Sequence, residues 1–224
     1  LNTKPEIVTR NLFKDLNTNQ SVDLNDKLAE ACITLLKNEN NFLPLKRSDS
    51  LKILEVSFGV EEQNTLFTTL SGYGYVEHIG LSHEAKAEDV AEVFDKVKDA
   101  EVIVIQLNKA TLKAENNYGV GEQTLKLMDS IAGLKPTALV MLTNPYLLNK
   151  INSLAKFKSV IMAYEYMPSL LKASAKALLG INGVNGKLPI STNLYKAGNG
   201  IVLEPNATQK TISLKENFKK KSLD

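Results

Sequence analysis

Five short runs of apolar, mostly branched residues alternate along the chain with longer stretches in which apolar side chains recur at helical spacing. This alternation is typical of a layered α/β domain, because the connection between two parallel strands must cross the sheet and usually does so as a helix. The pattern excludes an all-helical bundle and an all-β sandwich. The runs that predict strands are residues 52–58, 73–79, 102–105, 138–142 and 160–163.

The last three runs are apolar throughout, whereas the first two carry polar residues. A parallel strand covered by helices on both faces needs a continuous apolar run, so the last three are predicted at the centre of the sheet and the first two nearer an edge. We therefore predict an α/β fold: a three-layer α/β/α sandwich with a mostly parallel sheet of five to six strands, of the flavodoxin-like type.

Helices are predicted between the strands at residues 61–70, 87–97 and 122–134, where the apolar side chains share one face. A fourth helix is predicted to begin at Pro168, because proline is favoured in a first helical turn. Its end is predicted at Gly180, because glycine is favoured where the backbone becomes left-handed after a helix.

Two further patterns flank these elements. Asp23 is predicted to cap a helix whose apolar stripe runs through Cys32 to Leu36. The apolar run 187–191 contains Pro189, which cannot donate to a sheet ladder, so this run predicts an edge strand.

Three parts of the chain differ in composition. Residues 1–22 join a partly amphipathic stretch to a polar segment, which predicts a connection from a preceding domain. Residues 23–205 form the predicted sandwich domain. Residues 206–224 are rich in lysine and offer little to bury, so they predict an exit linker toward a further domain. Leu1 is not an initiator methionine, which predicts a processed or excised chain.

The composition excludes several classes of function. The chain has 27 Lys+Arg and 25 Asp+Glu, a formal charge of +2, which creates no field of one sign for nucleic acid. One cysteine excludes a disulfide framework, and two histidines leave little for a metal ion. No apolar run approaches the roughly 18 residues of a membrane helix. We predict no metal, no nucleic-acid partner and no membrane span.

Single residues with ligating or reactive side chains have simple structural interpretations. Gly59 is the only glycine of its loop and two acids follow it, unlike a phosphate-binding loop, so no nucleotide cofactor is predicted. His78 and His83 are interpreted as surface or hydrogen-bonded histidines. Cys32 is interpreted as a buried small apolar residue. The absence of a Gly-x-Ser-x-Gly pattern excludes, on this signature, the nucleophile of an α/β-hydrolase.

In an open parallel sheet, ligands bind at the loops beyond the carboxyl ends of the strands. These loops are predicted at residues 108–121, 143–146 and 164–167. The first is long and polar, and by itself it is more typical of a solvated surface loop. Its amide, phenol and carboxylate groups also suit a hydroxyl-rich ligand. The predicted substrate-binding residues are Asn108, Asn116, Asn117, Tyr118, Tyr164 and Glu165.

Short motifs near both ends of the predicted domain occur in a specific order and spacing. They are Ala31-Cys32-Ile33-Thr34-Leu35-Leu36-Lys37-Asn38-Glu39, Leu43-Pro44-Leu45, Ala163-Tyr164-Glu165, Pro168, Leu178-Leu179-Gly180 and Gly186-Lys187-Leu188-Pro189-Ile190-Ser191. Together they resemble the first helix and the closing strand, helix and hairpin of the C-terminal sandwich domain of glycoside hydrolase family 3. The resemblance covers about residues 23–191.

The resemblance implies a six-stranded α/β/α sandwich that follows a TIM-type barrel in the same polypeptide. In that family the catalytic nucleophile is an aspartate of the barrel, and hydrolysis with retention needs two carboxyl groups about 5 Å apart. The chain alone is therefore expected to be inactive. Its expected partners are the barrel and a carbohydrate substrate, and the family habit implies export to the periplasm or the exterior rather than the cytoplasm.

The resemblance also directs attention to Glu115. Glucosidase-like members of the family place the acid/base glutamate on a loop of this domain, in a pattern that contains an Asp-Arg pair. Glu115 occupies the comparable loop, but the segment 114–119 has no Asp-Arg pair. In β-N-acetylglucosaminidase-like members a histidine of a barrel loop is the acid/base instead, and the departure at Glu115 favours this second style.

The sequence therefore predicts the C-terminal domain of a glycosidase that hydrolyses terminal β-linked sugars, with β-N-acetylglucosaminides as the preferred substrates. Its roles would be to support the barrel and to line the substrate site. The alternative is a non-catalytic flavodoxin-like module that binds a small ligand. A barrel of about 250 residues encoded upstream would distinguish the first from the second.

Overall fold

The computed structural model describes residues 9–46 and 51–206. Six strands form one sheet in the order β1-β6-β5-β4-β2-β3; neighbours are parallel except β1, which is antiparallel to β6. The predicted fold class is confirmed. The strands are β1 (Thr34–Asn38), β2 (Lys52–Phe58), β3 (Tyr75–Leu81), β4 (Val102–Asn108), β5 (Thr137–Leu142) and β6 (Ser159–Met162).

Helices connect the strands and cover both faces of the sheet. They are α1 (Leu12–Leu16), α2 (Asn19–Cys32), α3 (Thr65–Ser71), α4 (Ala87–Asp99), α5 (Asn116–Gly119), α6 (Glu122–Ala132) and α7 (Pro168–Leu178). Short 3-10 turns lie at Thr9–Asn11, Glu39–Asn41 and Pro145–Lys150. No helix in the described ranges is long and apolar enough to cross a membrane.

Side chains of the central strands point alternately into two cores. In β4, Ile103, Ile105 and Leu107 belong to the core under α4 and α6, while Val104 belongs to the core under α3 and α7. All four are fully buried. Each such side chain stabilises the fold by roughly 1.5–3 kcal/mol, so a continuously apolar strand contributes to both cores at once.

The boundaries of two predicted elements shift for local reasons. The helix predicted at 61–70 begins at Thr65, because the Asn64 carboxamide accepts hydrogen bonds from the backbone N–H groups of Leu66 (2.9 Å) and Phe67 (3.3 Å). The strand predicted at residues 73–79 is β3, and it begins at Tyr75 rather than at residue 73.

The end of α7 follows the prediction closely. Gly180 has φ +66°, and a Cβ atom there would lie 2.4 Å from Cβ of Pro44. Both the left-handed backbone and this close approach require glycine.

The prediction for residues 23–36 is partly wrong. The helix α2 begins at Asn19 with Thr18 as its cap, not at Asp23, and it ends at Cys32. The Leu36 end of the stripe lies in β1, because pairing with β6 satisfies the extended backbone there. The predicted domain boundary at residues 22 and 23 thus falls inside α2.

The prediction that Cys32 is buried is wrong. The residue is exposed at the end of α2, as are Leu24 (58%) and Leu28 (56%) on the same helix. The helix contacts α7 through the ion pairs Asp26–Lys172 (2.6 Å) and Glu30–Lys176 (2.6 Å), so its apolar stripe does not face the core.

The predicted edge strand at 187–191 does not form. Instead, Leu188 donates its N–H to the Asn199 carbonyl and accepts a bond from Gly198, both at 2.8 Å, within an irregular segment. Pro189 has no N–H to extend this pairing. Residues 1–8, the first part of the predicted connection, and residues 207–224, nearly all of the predicted exit linker, lie outside the described residues.

Candidate functional site

The carboxyl ends of the five parallel strands β2 to β6 meet at one edge of the sheet, so their following loops form a common surface. The longest of these loops joins β4 to α6 and includes α5. Most of the predicted substrate-binding residues lie on this loop or on the loop after β6.

The loop after β4 makes one left-handed turn. Asn116, Asn117 and Tyr118 have φ of 48°, 52° and 61°, and Gly119 follows at 79°. Asparagine tolerates this conformation better than most residues, and the Tyr118 backbone ties the turn down: its N–H donates to the Glu115 carbonyl (3.1 Å) and its carbonyl accepts from Thr111 (2.7 Å). The loop is therefore a defined structure.

The side chains of this turn differ in exposure. The Tyr118 ring is buried in the core under α6, whereas Asn116 and Glu115 are exposed and Asn117 is half-buried. Within the described ranges, the Glu115 side chain makes no hydrogen bond or ion pair. The structure therefore brings the amides of Asn116 and Asn117 to the surface and leaves Glu115 without a group that orients it.

Neighbouring loops hold the β4 loop in place. The Asn144 Nδ2 group, beyond β5, donates to the Thr111 carbonyl (2.9 Å). His83, beyond β3, bonds through Nε2 to the Asn108 carbonyl (2.6 Å), and its own carbonyl accepts from the Gly121 N–H (2.8 Å). Since a carbonyl only accepts, the His83 Nε2 carries the proton. The interpretation of His83 as a hydrogen-bonded histidine is confirmed.

The loop after β6 places the other two candidates. Tyr164 has φ 68°, and its hydroxyl is 2.7 Å from the Thr34 Oγ1 atom of β1. Burial raises the pKa of Tyr164. Glu165 is exposed in a tight turn, with its N–H donating to the Ala163 carbonyl (2.8 Å). Tyr164 is thus oriented by the sheet edge, while the carboxylate of Glu165 faces solvent.

A cation–π contact connects the β4 and β6 loops. The Lys109 Nζ atom lies 4.3 Å from the ring centroid of Tyr166. Burial raises the pKa of the Tyr166 hydroxyl, and a hydrogen bond from Asn64 opposes that rise. The contact brings the start of the long loop next to the cap of α3.

Asn108 differs from the other predicted site residues because it is fully buried. Its Nδ2 group donates to the Ser57 Oγ atom (2.9 Å), which in turn donates to the Val60 carbonyl (2.7 Å). Its Oδ1 atom is buried without a hydrogen-bond partner. The side chain therefore faces the interior beneath the loops rather than solvent.

Sequence reasoning missed a buried polar network beside Asn108. Glu55 of β2, fully buried, contacts the Nδ1 atom of His78 on β3 and accepts from the Nε2 group of Gln106 on β4. The Gln106 Oε1 atom accepts in turn from the Asn64 Nδ2 group (3.1 Å). A glutamate inside the apolar run 52–58 was the available signal, because a buried carboxylate needs partners.

Two members of this network, Glu55 and His78, are titratable, and each affects the pKa of the other. Burial raises the pKa of Glu55, against the opposing effects of His78 and Gln106. Burial lowers the pKa of His78, but the hydrogen bond and charge of Glu55 and the Glu61 carbonyl, 2.9 Å away, outweigh it, so the net direction is upward. Both groups therefore hold protons more tightly than in water. The interpretation of His78 as a hydrogen-bonded histidine is confirmed.

No group of three or more His, Cys, Asp or Glu side chains converges anywhere in residues 9–46 and 51–206. That part of the chain offers no metal site of the ordinary kind. The chemistry available at the carboxyl edge is hydrogen bonding by amides, phenols and carboxylates.

Comparison with known proteins gives a consistent assignment. Residues 33–220 match the family model described as the glycosyl hydrolase family 3 C-terminal domain. No curated protein matches the chain in sequence.

Solved structures share the fold at low sequence identity. A glycoside hydrolase family 3 β-N-acetylglucosaminidase from Paenibacillus sp. has a TM-score of 0.60 and 20% identity over 74% of this chain and 31% of its own. A fungal multi-domain β-N-acetylglucosaminidase of that family has a TM-score of 0.66 and 21% sequence identity. The match covers 82% of this chain and 21% of the fungal chain. A mutant β-glucosidase from Listeria innocua, in complex with laminaribiose, has a TM-score of 0.66 and 19% sequence identity. The match covers 86% of this chain and 29% of the β-glucosidase chain. This chain thus spans about a fifth to a third of those proteins.

Proposed function

Since the chain belongs to glycosyl hydrolase family 3 as its C-terminal domain, we propose that it is the supporting domain of a β-glycosidase whose barrel carries the catalytic nucleophile. The family match over residues 33–220 is the observation that carries the proposal. The length of the solved structures with this fold is consistent with a larger enzyme, because this fold is only a part of each.

The state of Glu115 supports an acid/base outside this domain. A general acid must lie within about 2.6–3.2 Å of the oxygen that it protonates, held there by neighbouring groups. Glu115 is exposed, and in the described structure no side chain orients it. Burial raises the pKa of Glu55, but this carboxylate lies inside the sheet and has no access to a substrate.

We further propose β-N-acetylglucosaminides as the substrates. The segment 114–119 lacks the Asp-Arg pair of the glucosidase-like pattern. A barrel histidine is then the acid/base. The proteins with solved structures of this fold include β-N-acetylglucosaminidases as well as β-glucosidases, which is compatible with this choice.

In this proposal the carboxyl edge lines the substrate site. Asn116 and Glu165 are exposed, and Asn117 and Tyr164 are half-buried in the loops after β4 and β6. Asn108 and Tyr118 lie beneath the loop surface and hold the loop in place. The Asn108 carbonyl bonds to His83, and the Tyr118 backbone anchors the left-handed turn. Hydroxyl groups of a sugar both donate and accept, which matches the amides.

Hydrolysis by two forms of the protein tests the proposal. Aryl β-N-acetylglucosaminide and aryl β-glucoside are offered to this 224-residue chain and to the longer protein that contains it. We expect turnover only by the longer protein, and faster on the N-acetyl substrate. Turnover by the chain alone would place the nucleophile here and refute the division of labour. A parent without a barrel and without activity would favour the small-ligand binding module.

A further inference from the structure

A cleft of about 260 Å³ opens between α6, the turn Pro145–Lys150 and the left-handed turn α5. Three carboxamides line it, from Asn117, Asn149 and Asn152. Only Asn117 belongs to the residues assigned above to the substrate site. The walls from α6 and the 3-10 turn have no role in the proposed function so far.

The charges around the cleft cancel. Its lining contains two carboxylates, Glu122 and Asp129, and two ammonium groups, Lys126 and Lys150. Glu122 pairs with Lys126 at 3.6 Å along one turn of α6, and Asp129 pairs with the adjacent Lys156 at 3.1 Å. The four charges of the lining sum to zero, and of its two ammonium groups only Lys150 has no ion pair among the described residues. One unpaired ammonium group in an open cleft is a weak anion site, so the carboxamides favour a neutral ligand.

The carboxamides are held in position by the backbone. The Asn149 Oδ1 atom accepts a hydrogen bond from the Asn193 N–H (2.8 Å), which leaves the Asn149 Nδ2 group to donate. Asn117 sits within the left-handed turn. A carboxamide offers a donor and an acceptor on adjacent atoms, which complements neighbouring hydroxyls that each donate and accept. The half-buried Leu125 supplies an apolar wall for the C–H face of a ring.

We propose that this cleft binds a neutral, hydroxyl-rich ligand the size of one pyranose ring. A volume of about 260 Å³ lies just below the roughly 300–1,000 Å³ of clefts that hold drug-sized ligands, so a single sugar unit fits better than an oligosaccharide. The inference rests on the proposed function only for the choice of sugar.

The test is a titration of the ¹⁵N-labelled 224-residue chain with methyl N-acetyl-β-glucosaminide, methyl β-glucoside and inorganic phosphate, followed by NMR. We expect saturable shifts at Asn117, Asn149 and Leu125 with a sugar, with dissociation constants on the order of millimolar because the site is open and polar. Phosphate should cause none there.

Two variants locate the site. Asn117→Gly removes the carboxamide while allowing the left-handed backbone, and Asn149→Asp keeps the acceptor for Asn193 but loses the Nδ2 donor. Each should weaken sugar binding about three- to tenfold, the value of one hydrogen bond. Asn185→Asp, the same chemical change at an exposed site away from the cleft, should leave binding unchanged.

Three outcomes would overturn the inference: no saturable shift at the cleft with either sugar, equal weakening by Asn185→Asp, or phosphate binding at the same residues. Failure of the proposed function looks different. A parent protein that hydrolyses neither glycoside, while the sugar still shifts Asn117 and Asn149, would refute the glycosidase and retain the cleft as a sugar site.

Discussion

Two polar regions lie at the same end of the sheet and are built in opposite ways. In the network of Glu55, His78, Gln106 and Asn64, the side chains satisfy one another across three strands and a helix cap. Glu55 and Gln106 are fully buried, and His78 and Asn64 are half-buried. In the loop at 109–121, the backbone makes the defining bonds and most polar side chains face solvent. The network contains the two groups with raised pKa values, Glu55 and His78, whereas the loop is the region more accessible to solvent.

The comparison assigns different roles to the two regions: the network stabilises the fold, and the loop is the part that can recognise a ligand. A carboxylate with a strongly altered pKa is an ordinary candidate for catalysis, but structural networks alter pKa values too. Glu55 has the altered environment and no access, whereas Glu115 has access and no fixed geometry. We infer that the network positions the strand ends, and that the loops above it are the part that can contact ligands.

The largest effect should come from opening the network. Glu55→Ala removes the carboxylate that contacts the half-buried His78 and accepts from the buried Gln106, and we expect the free energy of unfolding to fall by about 3 kcal/mol. A loss of about 3 kcal/mol is the lower end of the range for removing one partner of a buried ion pair. We expect the lower end because His78 can lose its proton and so avoid an unpaired charge. Urea denaturation measures it. Glu115→Ala is the matched control and should change stability by no more than about 0.5 kcal/mol; equal losses would erase the contrast between the two regions.

A smaller effect should come from Asn64, which both caps α3 and donates to Gln106. Asn64→Ala should cost about 1–2 kcal/mol, since it removes a cap and a partly buried hydrogen bond. Asn64→Ser keeps a capping oxygen and should recover about half of that loss. If serine and alanine destabilise equally in urea, the cap is not what Asn64 contributes.

The network should also make stability depend on pH. Both Glu55 and His78 have pKa values raised in the folded protein, so the folded state binds protons more tightly than the unfolded state. Their contribution is present at low pH, and it is lost as pH rises from the ordinary pKa of each group through its raised folded value. The free energy of unfolding that this pair contributes should therefore fall as pH rises above the ordinary pKa values, 4.5 for Glu55 and 6.5 for His78.

The double variant Glu55→Gln/His78→Asn lacks both titrating groups and is the control for this prediction. Its free energy of unfolding, measured across the same pH range, should vary less than that of the natural sequence. A curve of the same slope in both proteins would assign the pH dependence to surface groups instead.

The smallest effect should come from the loop. If the longer protein hydrolyses aryl β-N-acetylglucosaminide as proposed, Glu115→Gln in it should leave turnover nearly unchanged, because an exposed, unoriented carboxylate is not placed for proton transfer. A loss on the order of a hundredfold or more, the scale of a missing general acid, would make Glu115 the acid/base and return the assignment to the glucosidase-like style.

The five parallel strands and four of the helices (α3, α4, α6 and α7) could be predicted from local patterns. The β4 run is apolar at every position because both faces are covered, and α7 has Pro168 at its start and Gly180 just beyond its end. Such signals depend on neighbours within one turn or one strand, so the sequence carries them directly.

The strand β1 could not be predicted in the same way. The stripe from Cys32 to Leu36 fits a helix as well as a strand, and only the free edge of β6 decides for a strand. The same holds for the orientation of α2, which buries Ala29 against the core while its Asp26 and Glu30 pair with Lys172 and Lys176 of α7.

The sequence by itself determined the layered α/β class, the order of most elements and the family resemblance, because these follow from periodicity and short motifs. Only the tertiary structure decided the buried network, since Glu55, His78 and Gln106 are far apart in the chain and meet through the order β4-β2-β3. It also decided that Asn108 faces inward and Glu115 outward. Side-chain contacts across strands depend on register and sheet order, which no local pattern contains.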